Sequence, residues 1–415
     1  MLITEPKGIM RYYHCEKYQK RVYSSANSKI HDEPVCFEGA LRMNSKQEFE
    51  VVVIGGGPAG AIAGRYAALR GARVLLLEQK KKIGIPIRCG EFFPTAEELE
   101  KIFVRSQLVP ELYHIRDDLI AQRIEIVRVY SPKGSSFDMP LKGHSVHRDR
   151  FEQHLLEEAA KAGVTIQMDS RVDKVQNGAV YAKGRIFRPQ VIILACGPNR
   201  NLLNPLGISV QKDIAICVQY LMENVKIEPR VVEMYYGNVS PGGYAWVIPK
   251  GEDRANIGLG IRRRFYDRNI LKLLDEFIQS PSMINKTACG RKISTIAGLV
   301  PVNGPVRKTV IGNIILVGDA AGHVMATNGG GIPTAMICGR IAGEVSADHV
   351  RQDRPLEDYE KQWKRECGRE FANALHTRKR ADFVIYRLGW AAEILMRLVG
   401  PRVISRALKC AFVGP

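Results

Sequence analysis

At 415 residues, with 45% hydrophobic and 25% charged side chains, the chain is long enough for two or three domains and too apolar to remain unfolded. Lys and Arg outnumber Asp and Glu by 61 to 43, a formal net charge of +18 that favours anionic partners such as phospholipid headgroups or phosphorylated substrates, while no aromatic-spaced module suggests nucleic acid. The nine cysteines lie apart with no Cys-x-x-Cys pair, so neither a disulfide framework nor a metal site is indicated and a reducing cytoplasm is expected; no run of 18 apolar residues predicts a spanning helix.

The first 42 residues are polar and irregular, without the apolar core of a signal peptide. Residues 1–46 therefore read as an extension, disordered or absent from the native protein, with Met43 an alternative start just ahead of the first convincing strand. From Phe49 the pattern sharpens. "FEVVVI" is a buried strand, "GGGPAGAIAGRYAALRGA" a glycine turn feeding a helix, and "RVLLLE" a second buried strand, together one βαβ unit of dinucleotide-binding size. "KKKIGIPIRCGEFFPTAEELEKI" then breaks the alternation with Gly and Pro before a short helical pattern from Thr95, so residues 84–145 read as a loop or insertion. Residues 148–162 form an amphipathic helix with Phe151, Leu155 and Ala159 on one face and a stop at Gly163. The strand "VTIQM", a turn at Asn177-Gly178 and the buried strand "QVIILACG" complete a first part at 47–199.

Residues 200–290 are β-rich, with "VVEMYYG", "YAWVIP" and "ANIGLGI", and read as a substrate-binding domain. Residues 291–349 return to the first fold, "NIILVGDAAG" being strand then helix, and residues 350–415 turn helical, including "DFVIYRLGWAAEILMRLV". Tyr244 and Trp246 alternate along one strand and so stand on one side of it as an aromatic wall.

Three segments carry cofactor chemistry. Gly55, Gly57 and Gly60 form Gly-x-Gly-x-x-Gly between strand and helix, where backbone amides and a helix N-terminus receive a pyrophosphate. Glu78 closes the second strand, placed to accept hydrogen bonds from ribose hydroxyls and to disfavour a 2′-phosphate, which leaves FAD or NAD. "QVIILACG" and "ILVGDAAG" are similar to the later segments of the two-dinucleotide flavoprotein group, in which the Asp, here Asp319, binds the ribityl chain; this selects FAD. No second strand–glycine–helix unit exists for a nicotinamide, so the reductant must approach transiently.

"PGGYAWVIP" at 241–249, followed eight residues later by "GLG", resembles the Tyr-x-Trp-x-Phe-Pro…Gly-x-Gly signature of the geranylgeranyl reductase family. "RCGE" at 88–91 resembles that family's Cys-Gly loop, and "GDAAGHVMATNGGGIPTAM" its Gly-Asp to triple-glycine stretch; the likeness covers residues 49 to 345. The resemblance implies an FAD-binding, Rossmann-like α/β fold of the aromatic-hydroxylase kind, with a β-rich substrate domain and C-terminal helices. It also implies an enzyme that saturates isoprenoid double bonds, the archaeal branch acting on digeranylgeranylglycerophospholipids.

Carried over by position, Gly55, Gly57, Pro58, Ala59, Gly60, Glu78, Arg88, Cys89, Arg148, Gly318 and Asp319 would hold FAD, and Gly329, Gly330, Gly331 and Ile332 would approach its isoalloxazine. Cys89, Tyr244 and Trp246 would line the prenyl cavity as catalytic residues, and His323 is a candidate proton relay. The partners implied are a prenylated phospholipid, an electron donor (reduced nicotinamide, ferredoxin, or another flavin or deazaflavin) and the inner face of the cell membrane. Ile248 and Ala326 depart from the family's usual Phe and frequent Pro. The rival readings are a flavin monooxygenase of the aromatic-hydroxylase type and a non-redox prenyl-lipid escort.

Overall fold

The computed structural model describes residues 49–208, 213–387 and position 394. The expected extension at 1–46 lies outside them, as does most of the segment beyond 387.

A six-stranded sheet forms the first layer, in the order Val310–Ile311, Ile314–Leu316, Val191–Leu194, Val51–Ile54, Val74–Leu77, Thr165–Gln167. All but the first pairing are parallel. The strands 51–54, 74–77 and 191–194 are buried at every residue, because one face of the parallel sheet is covered by helices and the other by the strands 172–176 and 179–182 with the short helix Arg200–Leu203, which leaves no position for a polar side chain. Two of those helices, Pro58–Leu69 and Ile332–Gln352, touch backbone to backbone. A Cβ at Gly339 would lie 2.6 Å from the Ala59 carbonyl oxygen, and one at Gly343 would overlap that of Ala63. Glycines at a spacing of four thus let the two helices lie in direct backbone contact, Gly339 and Gly343 against the first turns of Pro58–Leu69.

The second layer is an eight-stranded sheet in the order Arg291–Pro301, Ile214–Glu223, Arg254–Arg262, Ala245–Pro249, Val231–Tyr235, Ile120–Tyr130, Ser136–Val146, Phe92–Pro94. This sheet crosses the boundaries expected from sequence. The segment 84–145, read as a loop or insertion of the first part, supplies three of its strands, and the substrate domain read as ending at 290 runs on to Pro301. Parallel pairing of Val231–Tyr235 with Ile126–Tyr130 joins pieces a hundred residues apart, which no local pattern announces.

The two faces of this sheet differ. Val218, Tyr220, Val247, Ile257, Leu259 and Ile261 bury against the helix Ile270–Ile278. The opposite face carries Cys217, Tyr244, Trp246 and Ile248. Local signals behave as their chemistry requires: Thr95 caps the helix Ala96–Ile102 by accepting from the Glu98 amide, and Asn177 and Gly178 both take positive φ in the hairpin joining 172–176 to 179–182. One local expectation is corrected. "GDAAG" continues into a single 3-10 turn, Gly318–Ala321, and the long helix begins only at Ile332, since Gly322 takes a left-handed φ of 71° and ends the turn.

Candidate active site

The glycine turn after Val51–Ile54 has the geometry its spacing predicts. Gly55 adopts φ of +104°, and a Cβ there would overlap the Ala195 carbonyl oxygen; a Cβ at Gly60 would overlap the Gly55 carbonyl oxygen. Gly57, at the mouth of the turn, faces nothing within 4 Å, so its backbone is open to a ligand. Pro58 and Ala59 open the helix behind it, and proline there forfeits no hydrogen bond. The buried Glu78 carboxylate accepts from the Gly56 amide at 2.7 Å and the Lys80 amide at 2.9 Å, which fixes it beside the turn.

Arg148 begins the helix Arg148–Lys161 and is buried, ion-paired with Glu152. Its Nη1 has no hydrogen-bond partner and is sealed from solvent, an arrangement that invites an anionic or carbonyl oxygen. Asp319, in the turn after the strand Ile314–Leu316, has its carboxyl pushed up to about 6 by removal from water, against the pull of Arg148 and His323. Gly331 lies against it: a Cβ there would be 3.4 Å from Asp319 Oδ1. An open glycine turn, an anchored Glu78, an orphaned guanidinium nitrogen and a carboxyl beside the triple glycine fit the pyrophosphate and polyol of FAD.

The aromatic wall forms on the other layer. Tyr244 immediately precedes the strand Ala245–Pro249, and its ring meets that of Trp246 edge-on at 5.8 Å and that of Tyr236 at 5.7 Å. Trp246 sits opposite Gly258, which in turn sits opposite Gln219. With no side chain at Gly258 the indole lies across the neighbouring strand and donates from Nε1 to Gln219 Oε1 at 3.0 Å. Gln219 Nε2 then donates to the Cys89 carbonyl oxygen at 2.9 Å. The Trp and the Gly-x-Gly of the sequence signature are therefore one packing unit, and Gln219 connects it to the Cys-Gly loop.

That loop is held by a buried carboxylate. Glu91 accepts from Asn256 Nδ2 at 2.7 Å and from the Arg148 amide at 3.1 Å, and pairs with Lys250 at 3.1 Å. Cys89 is thereby suspended over the sheet, its thiol held above the ordinary range by burial despite the nearby Arg148. Arg88 is exposed, with its carbonyl oxygen and Cβ against Gly298. Ile248, the departure from the family pattern, is buried, with its Cδ1 only 3.1 Å from where a Gly90 Cβ would stand; Ala326 is buried in the main core.

Wall and cofactor region meet at one bond. The Tyr244 hydroxyl donates to the Asn328 carbonyl oxygen at 2.5 Å, one residue before Gly329–Gly331, and the Asn328 side chain accepts from the Gly330 amide at 2.8 Å. His323 is placed elsewhere: its ring is fully buried with Trp363 at 4.8 Å, Phe371 at 5.5 Å and Tyr359 at 6.4 Å, the surroundings of a core histidine. Gln219, Asn256 and Lys250 were not singled out from sequence. The one signal was a Gln within the apolar strand "IAICVQYLME", since a buried amide needs partners.

A family model described as the geranylgeranyl reductase catalytic domain matches residues 213–300, and one described as FAD dependent oxidoreductase matches 50–186. Among curated relatives, digeranylgeranylglycerophospholipid reductase 1 of Methanopyrus kandleri is 35% identical over 79% of this chain and 91% of its own. The Methanocaldococcus jannaschii digeranylgeranylglycerophospholipid reductase is 33% identical over 76% and 82%. Among solved structures, a geranylgeranyl bacteriochlorophyll reductase-like protein from Thermoplasma acidophilum superposes with a TM-score of 0.73 at 26% identity, over 87% of this chain and 91% of that one. A flavin-dependent brominase superposes with a TM-score of 0.66 at 18% identity, over 88% and 94%, and shares the fold alone. The chain belongs to the geranylgeranyl reductase family of FAD-dependent oxidoreductases.

Proposed function

We propose that the protein saturates the isoprenoid double bonds of geranylgeranyl chains carried by archaeal-type glycerophospholipids. The observation that carries this reading is the hydrogen bond from Tyr244 to the Asn328 carbonyl, which seats an apolar aromatic wall against the triple-glycine loop beside Asp319. An isolated alkene has no polar handle, so it can be positioned only by shape and apolar contact. Tyr244 and Trp246 supply rigid surface, and the Cys-Gly loop excludes water from the other side.

Gly55, Gly57, Gly60, Glu78, Arg148 and Asp319 would hold FAD, which when bound and reduced supplies a hydride. The protein's own part is to orient the chain and hold a proton. Burial raises the Cys89 thiol and keeps it protonated, leaving Sγ–H as the proton for the second carbon of the double bond as the first accepts the hydride, the thiolate being reprotonated from solvent afterwards. The donor is a transient partner, a reduced nicotinamide, ferredoxin or another flavin. The net charge of +18 suits a peripheral position on an anionic membrane face, and no helix among the described residues is long and apolar enough to cross a membrane.

The test is anaerobic. The purified flavoprotein is reduced with dithionite, mixed with digeranylgeranylglycerophospholipid and analysed by mass spectrometry. Gains in steps of two hydrogens are expected. An unchanged lipid with FAD bound, or a product formed only with oxygen, would refute the proposal and favour the escort or monooxygenase reading respectively.

A further inference from the structure

We infer that Asp382 and Tyr386, one turn apart on the helix Asp358–Arg387, are positioning residues for Tyr244: they fix the turn from which the aromatic wall starts. The inference deepens the function proposed above and rests on it for what the wall holds.

The turn is Ser240-Pro241-Gly242-Gly243, and it leads straight into Tyr244. The Gly243 amide donates to the Ser240 carbonyl at 3.0 Å, and Gly242 takes a left-handed φ of 83°, so proline and glycine fill the two central positions as a type II turn requires. Such a turn bonds only its first carbonyl and last amide, and its middle peptide group needs partners from elsewhere. Both halves of that group are held here. The Pro241 carbonyl accepts from the Arg262 amide at 3.2 Å, and the Gly242 amide donates to the Tyr386 hydroxyl at 2.5 Å. The following carbonyl, that of Gly242, accepts from Arg262 Nε at 2.5 Å. Ser240 Oγ donates to the Gly260 carbonyl at 2.6 Å while the Gly260 amide donates to the Tyr244 carbonyl at 3.1 Å, so turn and wall are tied to one residue.

The helix supplies the outer half of this frame. The Tyr386 ring lies 4.4 Å from that of Phe265, whose Cδ2 is 2.6 Å from where a Gly242 Cβ would stand. One turn earlier, Asp382 takes both ends of the Arg262 guanidinium, accepting from Nη1 at 2.9 Å and from Nη2 through its other oxygen. Arg262 is buried, so its charge must be met by a carboxylate, and its second partner, Asp213 at 3.1 Å, is shared with Arg264 and Arg378. Asp382 thus aims Nε at the Gly242 carbonyl while Tyr386 holds the amide of the same glycine. Residues four apart share one helix face, which is why both reach a single turn.

Tyr244 spans from this turn to the triple-glycine loop, donating from its hydroxyl to the Asn328 carbonyl at 2.5 Å. A tyrosine has only two side-chain torsions, so its hydroxyl lands where its backbone start allows. A backbone fixed at Gly242 therefore fixes the contact at Asn328.

Tyr386→Phe removes the acceptor of the Gly242 amide and keeps the ring against Phe265. The full-length, FAD-loaded variant is compared with the wild type by hydrogen–deuterium exchange, FAD content and turnover of digeranylgeranylglycerophospholipid after dithionite reduction. Faster exchange is expected in peptides covering 240–246 and 325–331 and unchanged exchange over 51–69. FAD should be retained and kcat should fall about tenfold with KM little changed. Asp382→Asn, which weakens the hold on Arg262, is expected to act in the same direction. In a Tyr244→Phe background, where the wall no longer grips Asn328, adding Tyr386→Phe should cost less than about twofold, since both act through one bond. Unchanged exchange at 240–246, normal turnover, or an equal loss in both backgrounds would overturn the inference. If the wild type reduces no prenyl lipid yet exchange rises in both peptides of Tyr386→Phe, the positioning role stands and the reductase reading fails.

Discussion

Gly258→Ala tests whether the Trp246–Gly258–Gln219 row, set by register and by the indole hydrogen bond, packs as one unit. An added Cβ would stand 2.6 Å from Trp246 Cζ2 and 2.6 Å from the Val218 carbonyl oxygen, and would overlap Gln219 Cβ. Two of these three neighbours are backbone or bonded directly to it and cannot swing aside. The third is an indole tethered at 3.0 Å to Gln219. Overpacking of a close-packed site costs about 1–3 kcal/mol, and with the backbone contacts immovable the upper end applies. At about 2 °C per kcal/mol for a large domain, the melting midpoint should fall by about 6 °C. Gly298→Ala, with no contact inside 3.5 Å, is the control and should change stability by less than about 0.5 kcal/mol. Thermal unfolding is followed by circular dichroism, with indole fluorescence reporting displacement of Trp246. If Gly258→Ala melts within about 1 °C of the wild type, the glycine is not there to admit the indole and the reasoning is wrong.

Trp246→Ala should retain bound FAD, since the glycine turn, Glu78 and Asp319 proposed to hold it belong to the six-stranded layer, but lose prenyl reduction by about 100-fold or more as chain positioning fails; flavin absorbance and lipid mass spectrometry separate the two. Glu91→Gln leaves the buried Lys250 ammonium without its carboxylate and should destabilise the protein by about 3 kcal/mol in urea unfolding, with faster alkylation of Cys89 as the loop loosens. Asp319 has its carboxyl at about 6 in the fold against 3.8 in the unfolded chain, so the unfolded state releases its proton first as pH rises. The FAD-free protein should therefore lose stability between about pH 4 and pH 6, and Asp319→Asn should flatten that slope in denaturant titrations at each pH.

Much of this protein is legible in one dimension because its determinants are local. The strand–glycine–helix–strand run from Val51 to Glu78 folds into the turn its spacing dictates, since Gly-x-Gly-x-x-Gly answers to clashes a few residues away. Tyr244 and Trp246 come together because alternate residues of a strand share a face. What the tertiary structure alone decided is non-local. The segment 84–145 folds locally into the hairpin of Ile120–Tyr130 with Ser136–Val146 and the short strand Phe92–Pro94 beside it, but that it belongs to the eight-stranded sheet is decided only when Ile126–Tyr130 lies beside Val231–Tyr235. The meaning of Gly258 and Gly260 likewise depends on which residues stand across from them. Glu91, Asn256 and Lys250, distant in sequence, become one buried cluster only when the Cys-Gly loop is laid over the sheet.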